Sequence, residues 1–335
     1  MPTVNELKRL VESLSQSERN QLQDILADSG EASYSAKSLE DSRFSNGISC
    51  PKCGCVENIV KFGKYKGLQR YKCKDCSATF TAKSGSIFYK STKSLDTWEK
   101  YADCLLQGMS IRKSAQICGI SIPTSFFWRH KILEVIGNAL DKKQPKLKGI
   151  IESDETFFRV SYKGTRKLPE GRMAHRRGEK AKKRGLSKEQ VCVACGLDRQ
   201  GSVLSKISNL GKVSSADLVR VYSGKVEKDS IFCTDSEKAY VRFAVQKGYK
   251  LIQIERGKHR LGVYHINHVN AFHNNLKRFI DKFRGISTKY LDNYLTWNIS
   301  NKLTSKDIIN TVGGIQYTGS CRQILNRPDM PVNKR

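Results

Sequence analysis

Acidic and amide side chains stand at three separate places in the chain where they could together hold a divalent metal ion. Asp154 lies in the segment IIESDETFF, Asp235 follows the apolar segment IFCT, and Asn270 lies in HINHVNAFHNNLKRF, seven residues before Lys277. Carboxylate and amide oxygens are ligands that Mg²⁺ accepts in proteins. With a lysine available to contact a phosphate, this set predicts metal-dependent chemistry on a phosphodiester.

The segment that contains Asp154 predicts a β-strand whose apolar ends enclose acids. An uncompensated buried carboxylate costs on the order of several kcal/mol, so acids inside such a strand indicate a metal site. Glu152, Asp154 and Glu155 all compete for the role of ligand. Because side chains alternate along a strand, Glu152 and Asp154 share one face and Glu155 lies on the other. Spacing alone does not choose between them.

The other two positions lie on a predicted strand end and a predicted helix. Asp235 ends a short buried strand before a helix, where open α/β sheets carry functional residues, although it could instead only cap that helix. The segment from 265 to 283 predicts an amphipathic helix. At about 100° per residue, Asn270, His273 and Lys277 fall within a sector of roughly 60° beside its apolar stripe. This sector is predicted to face the sheet edge, and an ordinary polar helix face is the alternative.

Two CxxC pairs upstream have the spacing of a four-thiolate zinc site, formed by Cys50, Cys53, Cys73 and Cys76. The residues between the pairs predict a β-hairpin turned at Lys66 and Gly67, and Thr79 and Phe80 predict a third strand. So short a β-unit has little core, and bound zinc would supply its folding energy. The segment therefore predicts a zinc ribbon in which Cys55 is a spare thiol.

The charge balance favours a nucleic-acid partner. The 335 residues include 60 lysines and arginines against 32 acids, which gives a formal net charge of +28 and a pI near 9.7. No segment approaches the roughly 20 apolar residues of a membrane span, and the polar N-terminus lacks a signal-peptide core. A cytoplasmic protein with reduced thiols is the expectation.

Residues 94–137 carry the pattern of a helix-turn-helix unit. Three helices are separated at Gly108 and Gly119, and the third is the candidate reader of the DNA major groove. Its predicted DNA contacts, with those of the preceding helix, are Arg112, Lys113, Arg129 and Lys131. A three-helix unit without a DNA role is the alternative.

A strongly basic segment runs from Arg159 to Lys188. Like charges at this density resist compact folding, so the segment predicts a loop that becomes ordered on phosphates. A merely solvated loop is the alternative. Its candidate DNA contacts are Arg176, Arg177, Lys182 and Lys183.

The ends of the chain are less informative. Residues 1–45 predict a helical appendage that forms a hairpin, and the segment from Ser29 to Gly47 has the composition of a linker. Residues 289–297 predict a closing helix for the core, and residues 306–335 are expected to form a C-terminal tail. The intervening divisions are a zinc ribbon over 46–90, a helix-turn-helix domain over 91–145 and a catalytic domain over 146–305.

Taken together, the zinc knuckles, the helix-turn-helix pattern, DETFF, CTDSEKAY and the stretch from Asn270 to Trp297 resemble transposases of the IS1595 insertion-sequence family. This resemblance implies a multidomain α+β protein with an α/β, RNase H-like catalytic domain. It also implies a catalytic set of Asp154, Asp235 and Asn270, followed by Lys277, and so chooses Asp154 over its neighbours. In much of the wider superfamily the third position is Glu, whereas here it is a neutral amide.

The resemblance implies a DNA transposase that binds the terminal inverted repeats of its element. Zinc would be structural, and Mg²⁺, with Mn²⁺ as an alternative ion, would support cleavage and strand transfer into target DNA. Double-stranded DNA is then the partner, and paired element ends require at least a homodimer. Two other functions stay open: a DNA-binding regulator with a degenerate catalytic domain, because Asn270 is neutral, and a metal-dependent nuclease without joining activity.

Overall fold

A computed structural model describes residues 13–15, 18, 36–65, 67–143, 145–164, 185–255, 257–258, 260–300, 303–317 and 324. Most of the predicted N-terminal hairpin, the centre of the basic loop and most of the residues after 317 lie outside this part. No described helix is long and apolar enough to cross a membrane. The described residues form an α+β structure with one small and one larger sheet.

The small sheet has the three strands that the sequence predicts. Strands β1 (Ile59–Tyr65) and β2 (Leu68–Cys73) form an antiparallel hairpin, and β3 (Thr79–Phe80) pairs with β2. The small core beneath the sheet includes Tyr71, which lies 5.7 Å from Phe80, measured between ring centroids. Few apolar residues support these strands, as expected of a unit that bound metal stabilises.

The predicted linker contains a helix, α1 (Ala36–Arg43), which corrects that expectation. Its polar composition concealed one anchor: Leu39 is fully buried. On the same helix, the Ser42 hydroxyl hydrogen-bonds Asn310, and Arg43 donates to the carbonyl of Gly314. Contacts with residues more than 260 positions away therefore stabilise a helix that local propensity does not indicate.

Three helices follow the ribbon: α2 (Leu95–Leu106), α3 (Ile111–Ile117) and α4 (Ile122–Lys143). The hydroxyls of Ser94 and Ser110 cap the first two, as the Ser110 pattern predicts for α3. Helix α4 has 22 residues and extends well beyond the predicted turn-helix unit. Its Trp128 stacks on Trp98 of α2 with ring centroids 3.5 Å apart, which fixes the two helices to each other.

The larger sheet has five strands: β4 (Ile150–Arg159), β5 (Gln190–Asp198), β6 (Val203–Leu210), β7 (Ile231–Thr234) and β8 (Lys250–Gln253). The strand order is β6-β5-β4-β7-β8. Strand β5 is antiparallel to both of its neighbours, whereas β4, β7 and β8 are parallel to one another. Strands β5 and β6 form a hairpin, with Gly201 at a φ of 87° in its turn.

Helices cover both faces of this sheet. Helices α5 (Ser215–Tyr222) and α6 (Lys238–Lys247) pack on one face with Cys192 and Ala194. Helices α7 (Asn267–Asp281) and α8 (Leu291–Ile299) share the other core with Val191, Val193 and Cys195. Alternate residues of β5 thus enter opposite cores, so Cys192 and Cys195 point to opposite faces of the sheet.

The predicted C-terminal tail is wrong for its first part, which forms helix α9 (Ser305–Gly314). Thr304 and Asp307 form a capping box, and Ile308, Ile309 and Val312 are fully buried. The helix packs against α1, α2 and α4. Residues that follow the five-stranded sheet in the sequence therefore complete the core of the helical unit, which precedes that sheet.

Candidate active site

Asp154 lies on β4, and Asp235 lies at the same level, one residue past the end of the adjacent parallel strand β7. Glu152 of β4 pairs with Cys233 of β7, and each aspartate follows two residues later in its segment. The pKa of Asp154 is raised to about 6, chiefly by burial; the Glu155 N–H and the charge of Lys277 oppose the shift, and the nearby charge of Asp235 adds to it. The two carboxylates and Lys277 therefore act on one another at a single site.

Helix α7 crosses this site with its buried side against the sheet. Its buried residues are Val269, His273, Leu276 and Ile280. The Nδ1 atom of His273 lies 3.7 Å from Oδ2 of Asp154. Asn270 lies on the exposed border of the helix three residues earlier, and no hydrogen bond of its side chain is found in the described part of the chain. The structure brings Asp154, Asp235, His273 and Lys277 together, whereas the exposed Asn270 makes no side-chain hydrogen bond with any of these four described residues.

His273 is a neutral imidazole at physiological pH. Burial lowers its pKa to about 4, and the positive charge of Lys277 acts in the same direction. Its buried Nε2 atom has no hydrogen-bond partner among the described residues. A buried ring nitrogen without a partner next to a carboxylate pair marks a site built for a group besides these side chains.

Glu155 lies on the opposite face of β4, as strand alternation predicts. Its Oε1 atom accepts a hydrogen bond of 2.5 Å from the hydroxyl of Tyr240, which also lies 2.8 Å from the Ser153 hydroxyl. Burial raises the pKa of Glu155 to about 8, and the charges of Asp154 and Asp235 contribute to the shift. Glu155 is thus predominantly protonated near neutral pH and is held by a buried hydroxyl group.

Glu152 has a third kind of environment. It is almost fully buried, and its Oε2 atom accepts hydrogen bonds from the backbone N–H groups of His268 at 2.8 Å and Val269 at 3.1 Å. A nitrogen of the Arg199 guanidinium lies 3.1 Å from its Oε1 atom. The three competing acids therefore differ in their partners, and this favours Asp154 as the one that faces both Asp235 and Lys277.

Glu152, His265 and His268 also place three ligand atoms within 4.8 Å of one another, as in a metal site. However, the guanidinium of Arg199 already contacts all three of these side chains. One of its guanidinium nitrogens lies 2.9 Å from Nε2 of His265 and 3.1 Å from Nδ1 of His268. The carboxylate is thus balanced by a guanidinium, and we interpret the cluster as an ion-pair network. No sequence pattern indicates a role for Arg199, which lies in the β5–β6 turn.

The four predicted zinc ligands converge in the ribbon. The Sγ atoms of Cys50 and Cys76 lie 3.6 Å apart, as do those of Cys53 and Cys73, and all four lie within 4.8 Å of one another. Tetrahedral Zn²⁺ with bonds of about 2.3 Å requires sulfur atoms separated by about 3.8 Å. The cysteines therefore fit a structural zinc ion without rearrangement.

The predicted DNA contacts of the helical unit divide into two groups. Arg112 and Lys113 are exposed on α3, and Lys131 is half-buried on α4. Arg129 is only 1% exposed, and its guanidinium donates to the carbonyl of Met109 at 2.6 Å, so its assignment as a DNA contact is wrong. The basic-loop candidates Arg176, Arg177, Lys182 and Lys183 lie outside the described residues.

Two segments of the chain match known protein families. Residues 146–297, which hold the whole five-stranded sheet with α7 and most of α8, match the ISXO2-like transposase domain of the IS1595 type. Residues 34–79 match the zinc-ribbon domain of the same transposases. Together the two matches span more than half of the 335 residues. The chain belongs to the IS1595 transposase family.

Other relatives of this IS1595-family transposase are more distant. A protein described as an uncharacterized protein in transposable element ISH50 of Halobacterium salinarum is 26% identical over 264 residues, covering 78% of this chain and 87% of the relative. Structures titled as a pre-cleavage Mos1 transpososome and as Mos1 transposase with a left transposon end are each 12% identical, covering 68% of this chain and 82% of theirs, with TM-scores of 0.21 and 0.23. Scores this low do not establish a common fold.

Proposed function

We propose that this IS1595-family transposase binds the terminal inverted repeats of its insertion sequence and catalyses Mg²⁺-dependent DNA cleavage and strand transfer. Asp154, Asp235 and Asn270 hold the metal, and Lys277 contacts a phosphate beside the cut. Double-stranded DNA is the partner, first as element ends and then as target, in the bacterial nucleoid. Two ends must be held together, so the active form is at least a homodimer.

The observation that carries this proposal is the pair of partly buried aspartates on adjacent strands. Their mutual repulsion and burial raise the pKa of Asp154, and Lys277 offsets the shift only in part. A hard divalent cation coordinated by these oxygens would compensate the unbalanced charge. The amide oxygen of Asn270, on α7, would be a neutral ligand of the same kind. The donor set therefore fits Mg²⁺ or Mn²⁺.

The sheet supports an RNase H-like core. Five strands in the order β6-β5-β4-β7-β8, in which β5 alone runs opposite to the others, place the end of β7 beside the middle of β4. Asp154 and Asp235 thereby meet at the crevice that open α/β sheets use for ligands. Helix α7, which packs on β4 and β5, would supply the third ligand and Lys277.

The proposed chemistry has two successive phosphodiester substitutions. In the first, the oxygen of water bonds to the phosphorus at the element end, and the 3′-oxygen leaves as a free 3′-OH. In the second, that 3′-OH attacks a target phosphodiester and displaces the target's own 3′-oxygen. Bound metal supplies charge stabilisation for the attacking and leaving oxygens. Lys277 positions the phosphate, and the neutral His273 packs against Asp154 and maintains its orientation.

A regulator with a degenerate catalytic domain is the second candidate, because Asn270 brings no charge to the site. A single assay separates the functions: purified protein is mixed with labelled end DNA, supercoiled plasmid and Mg²⁺. Joined products support the transposase, cut ends without joining indicate a nuclease, and binding alone indicates a regulator. The Asp154→Asn and Asp235→Asn variants serve as controls, and both should bind ends without cutting. Cleavage that persists in either variant would refute the site.

A further inference from the structure

Helix α7 begins without a cap of its own. The residue before its first turn is Ile266, which has no side-chain oxygen to accept a hydrogen bond from the exposed N–H groups. The first N–H groups of a helix need partners from elsewhere, and a negative charge there is further stabilised by the helix dipole. Here that partner is Glu152, a residue of β4 more than 110 positions earlier in the chain.

Glu152 stands two residues before Asp154 on the same face of the same strand. One rigid strand therefore carries both the proposed metal ligand and the group that receives the helix. The carboxylate accepts hydrogen bonds from the N–H groups of His268 and Val269. Asn270 is the next residue along α7. The contact thus joins β4, which carries Asp154, to the start of α7, which carries Asn270.

We propose that Glu152 is a positioning residue, whose carboxylate caps α7 and thereby holds Asn270, His273 and Lys277 in register with Asp154. This inference rests on the proposed function, because it assumes that these four side chains work together. Glu152 itself touches neither substrate nor metal. Its role is to fix one ligand-bearing element against the other.

Arg199 completes the connection. Its guanidinium bridges Oε1 of Glu152, Nε2 of His265 and the carbonyl of Val263, so the β5–β6 turn is joined to the segment that enters α7. The Nδ1 atom of His268 lies 2.6 Å from the same Oε1 atom. Glu152 is thereby held by groups from the strand side and the helix side, and few alternative positions are open to it.

The test compares Glu152→Gln and Glu152→Ala with Ser214→Ala. Ser214 caps α5 on the opposite face of the sheet, so its loss removes a helix cap of similar kind away from the site. The measurements are the thermal midpoint, end-DNA affinity, the cleavage rate, the Mn²⁺ affinity by titration calorimetry, and amide hydrogen exchange at His268 and Val269. Glu152→Gln keeps an oxygen acceptor and guards against an unfolded alanine variant.

We expect Glu152→Ala to slow cleavage by about 100-fold, since a 1 Å misplacement of a reacting group can cost that much. Mn²⁺ affinity should fall, and exchange at His268 and Val269 should accelerate. End binding should stay within about 2-fold, because the proposed contacts Arg112, Lys113 and Lys131 lie on α3 and α4 and not on α7. Glu152→Gln should recover part of each loss. Ser214→Ala should lower the thermal midpoint without changing cleavage or Mn²⁺ affinity.

The proposal is overturned if both Glu152 variants keep wild-type Mn²⁺ affinity and exchange rates, or if Ser214→Ala reproduces their losses. These readouts do not require turnover. If the wild-type protein binds Mn²⁺ but never cuts DNA, the proposed function fails while the positioning role of Glu152 is still decided by metal affinity and hydrogen exchange.

Discussion

The guanidinium carbon of Arg129 lies 4.8 Å from the centre of the Trp297 ring. Arg129 belongs to α4 of the helical unit, and Trp297 belongs to α8 behind the catalytic sheet. The same hydrophobic core continues through both. The helical unit and the catalytic sheet are therefore packed as one body, and a basic residue that the sequence assigns to DNA instead joins them.

Replacing Arg129 by Ala is expected to lower the free energy of unfolding by about 2–4 kcal/mol, because the carbonyl of Met109 loses its charged donor and a cavity remains. Denaturant unfolding followed by circular dichroism measures the change. Lys131→Ala, two residues further along the same helix but only half-buried, should change stability by less than about 1 kcal/mol. Equal effects of the two variants would contradict the buried role of Arg129.

Stability should depend on pH through Glu155. Its folded-state pKa of about 8 exceeds the ordinary value of 4.5, so the folded state favours the protonated form. The contribution of Glu155 to stability is therefore greatest below about pH 4.5, and it is lost as the pH rises through about 8. Glu155→Gln, which keeps an acceptor for Tyr240, should be more stable than wild type at pH 9 by roughly 2–4 kcal/mol and nearly equal to it at pH 5.

Thermal unfolding at both pH values, with chelator present, measures this difference. The matched control is Glu227→Gln, because Glu227 is exposed and lies away from the carboxylate pair. It should show the same pH profile as the wild type. An equal gain from Glu155→Gln at pH 5 and pH 9 would show that the effect does not arise from ionisation.

The third ligand position can be tested by changing its charge. Asn270→Asp adds a carboxylate beside Asp154 and Asp235, so half-maximal cleavage should need less Mg²⁺ than in the wild type. Asn270→Ala should slow cleavage by about 10–100-fold, because the metal loses one ligand. Asn274→Ala, an exposed amide one turn further along α7, should have no effect. Wild-type rates in Asn270→Ala would remove this residue from the site.

The ribbon should contain one zinc ion per chain. Cys53→Ser and Cys73→Ser should each lose the ion and unfold residues of the small sheet, since its apolar core is too small to fold without metal. Zinc content by mass spectrometry and proteolysis of the ribbon measure both effects. Cys55→Ser should keep full zinc content, and loss of zinc in that variant would place Cys55 among the ligands.

The basic loop should add to the salt dependence of DNA binding. Neutralising Arg176, Arg177, Lys182 and Lys183 is expected to lower the slope of log affinity against log salt by about 3–4, at about 0.9 for each phosphate that the loop no longer neutralises. Fluorescence anisotropy with end DNA over a salt series gives the slope. Neutralising Arg242, Lys247 and Lys250 on α6 and β8 should leave it unchanged, and equal slopes in both variants would exclude the loop as a DNA-binding segment.

Much of the local structure was predictable because its causes are local. The cysteine spacing predicts the ribbon, the turn residues predict its hairpin, and Ser110 and Ser214 predict the starts of α3 and α5. The alternation along β4 also correctly separates Glu155 from Asp154. In each case, neighbours within a few residues determine the conformation.

The features that the sequence did not predict share a different cause, which is contact between distant parts of the chain. Helices α1 and α9 have weak apolar patterns and are stabilised mainly by each other and by the helical unit. Glu152 and Asp154 share a face, and only the position where α7 begins distinguishes their roles. Arg129 is predicted to be a surface charge because its sequence neighbours do not reveal that Trp297 covers it.

Helix α9 has a consequence for how the protein is made. A ribosome releases the chain from its N-terminus, so the ribbon and helices α2 to α4 emerge first and the buried residues Ile308, Ile309 and Val312 emerge among the last. The core of the helical unit is incomplete until these three residues have been synthesised. A nascent or prematurely terminated chain therefore carries an unfinished helical unit, and the end binding proposed for that unit would arise only once the five-stranded sheet has been synthesised.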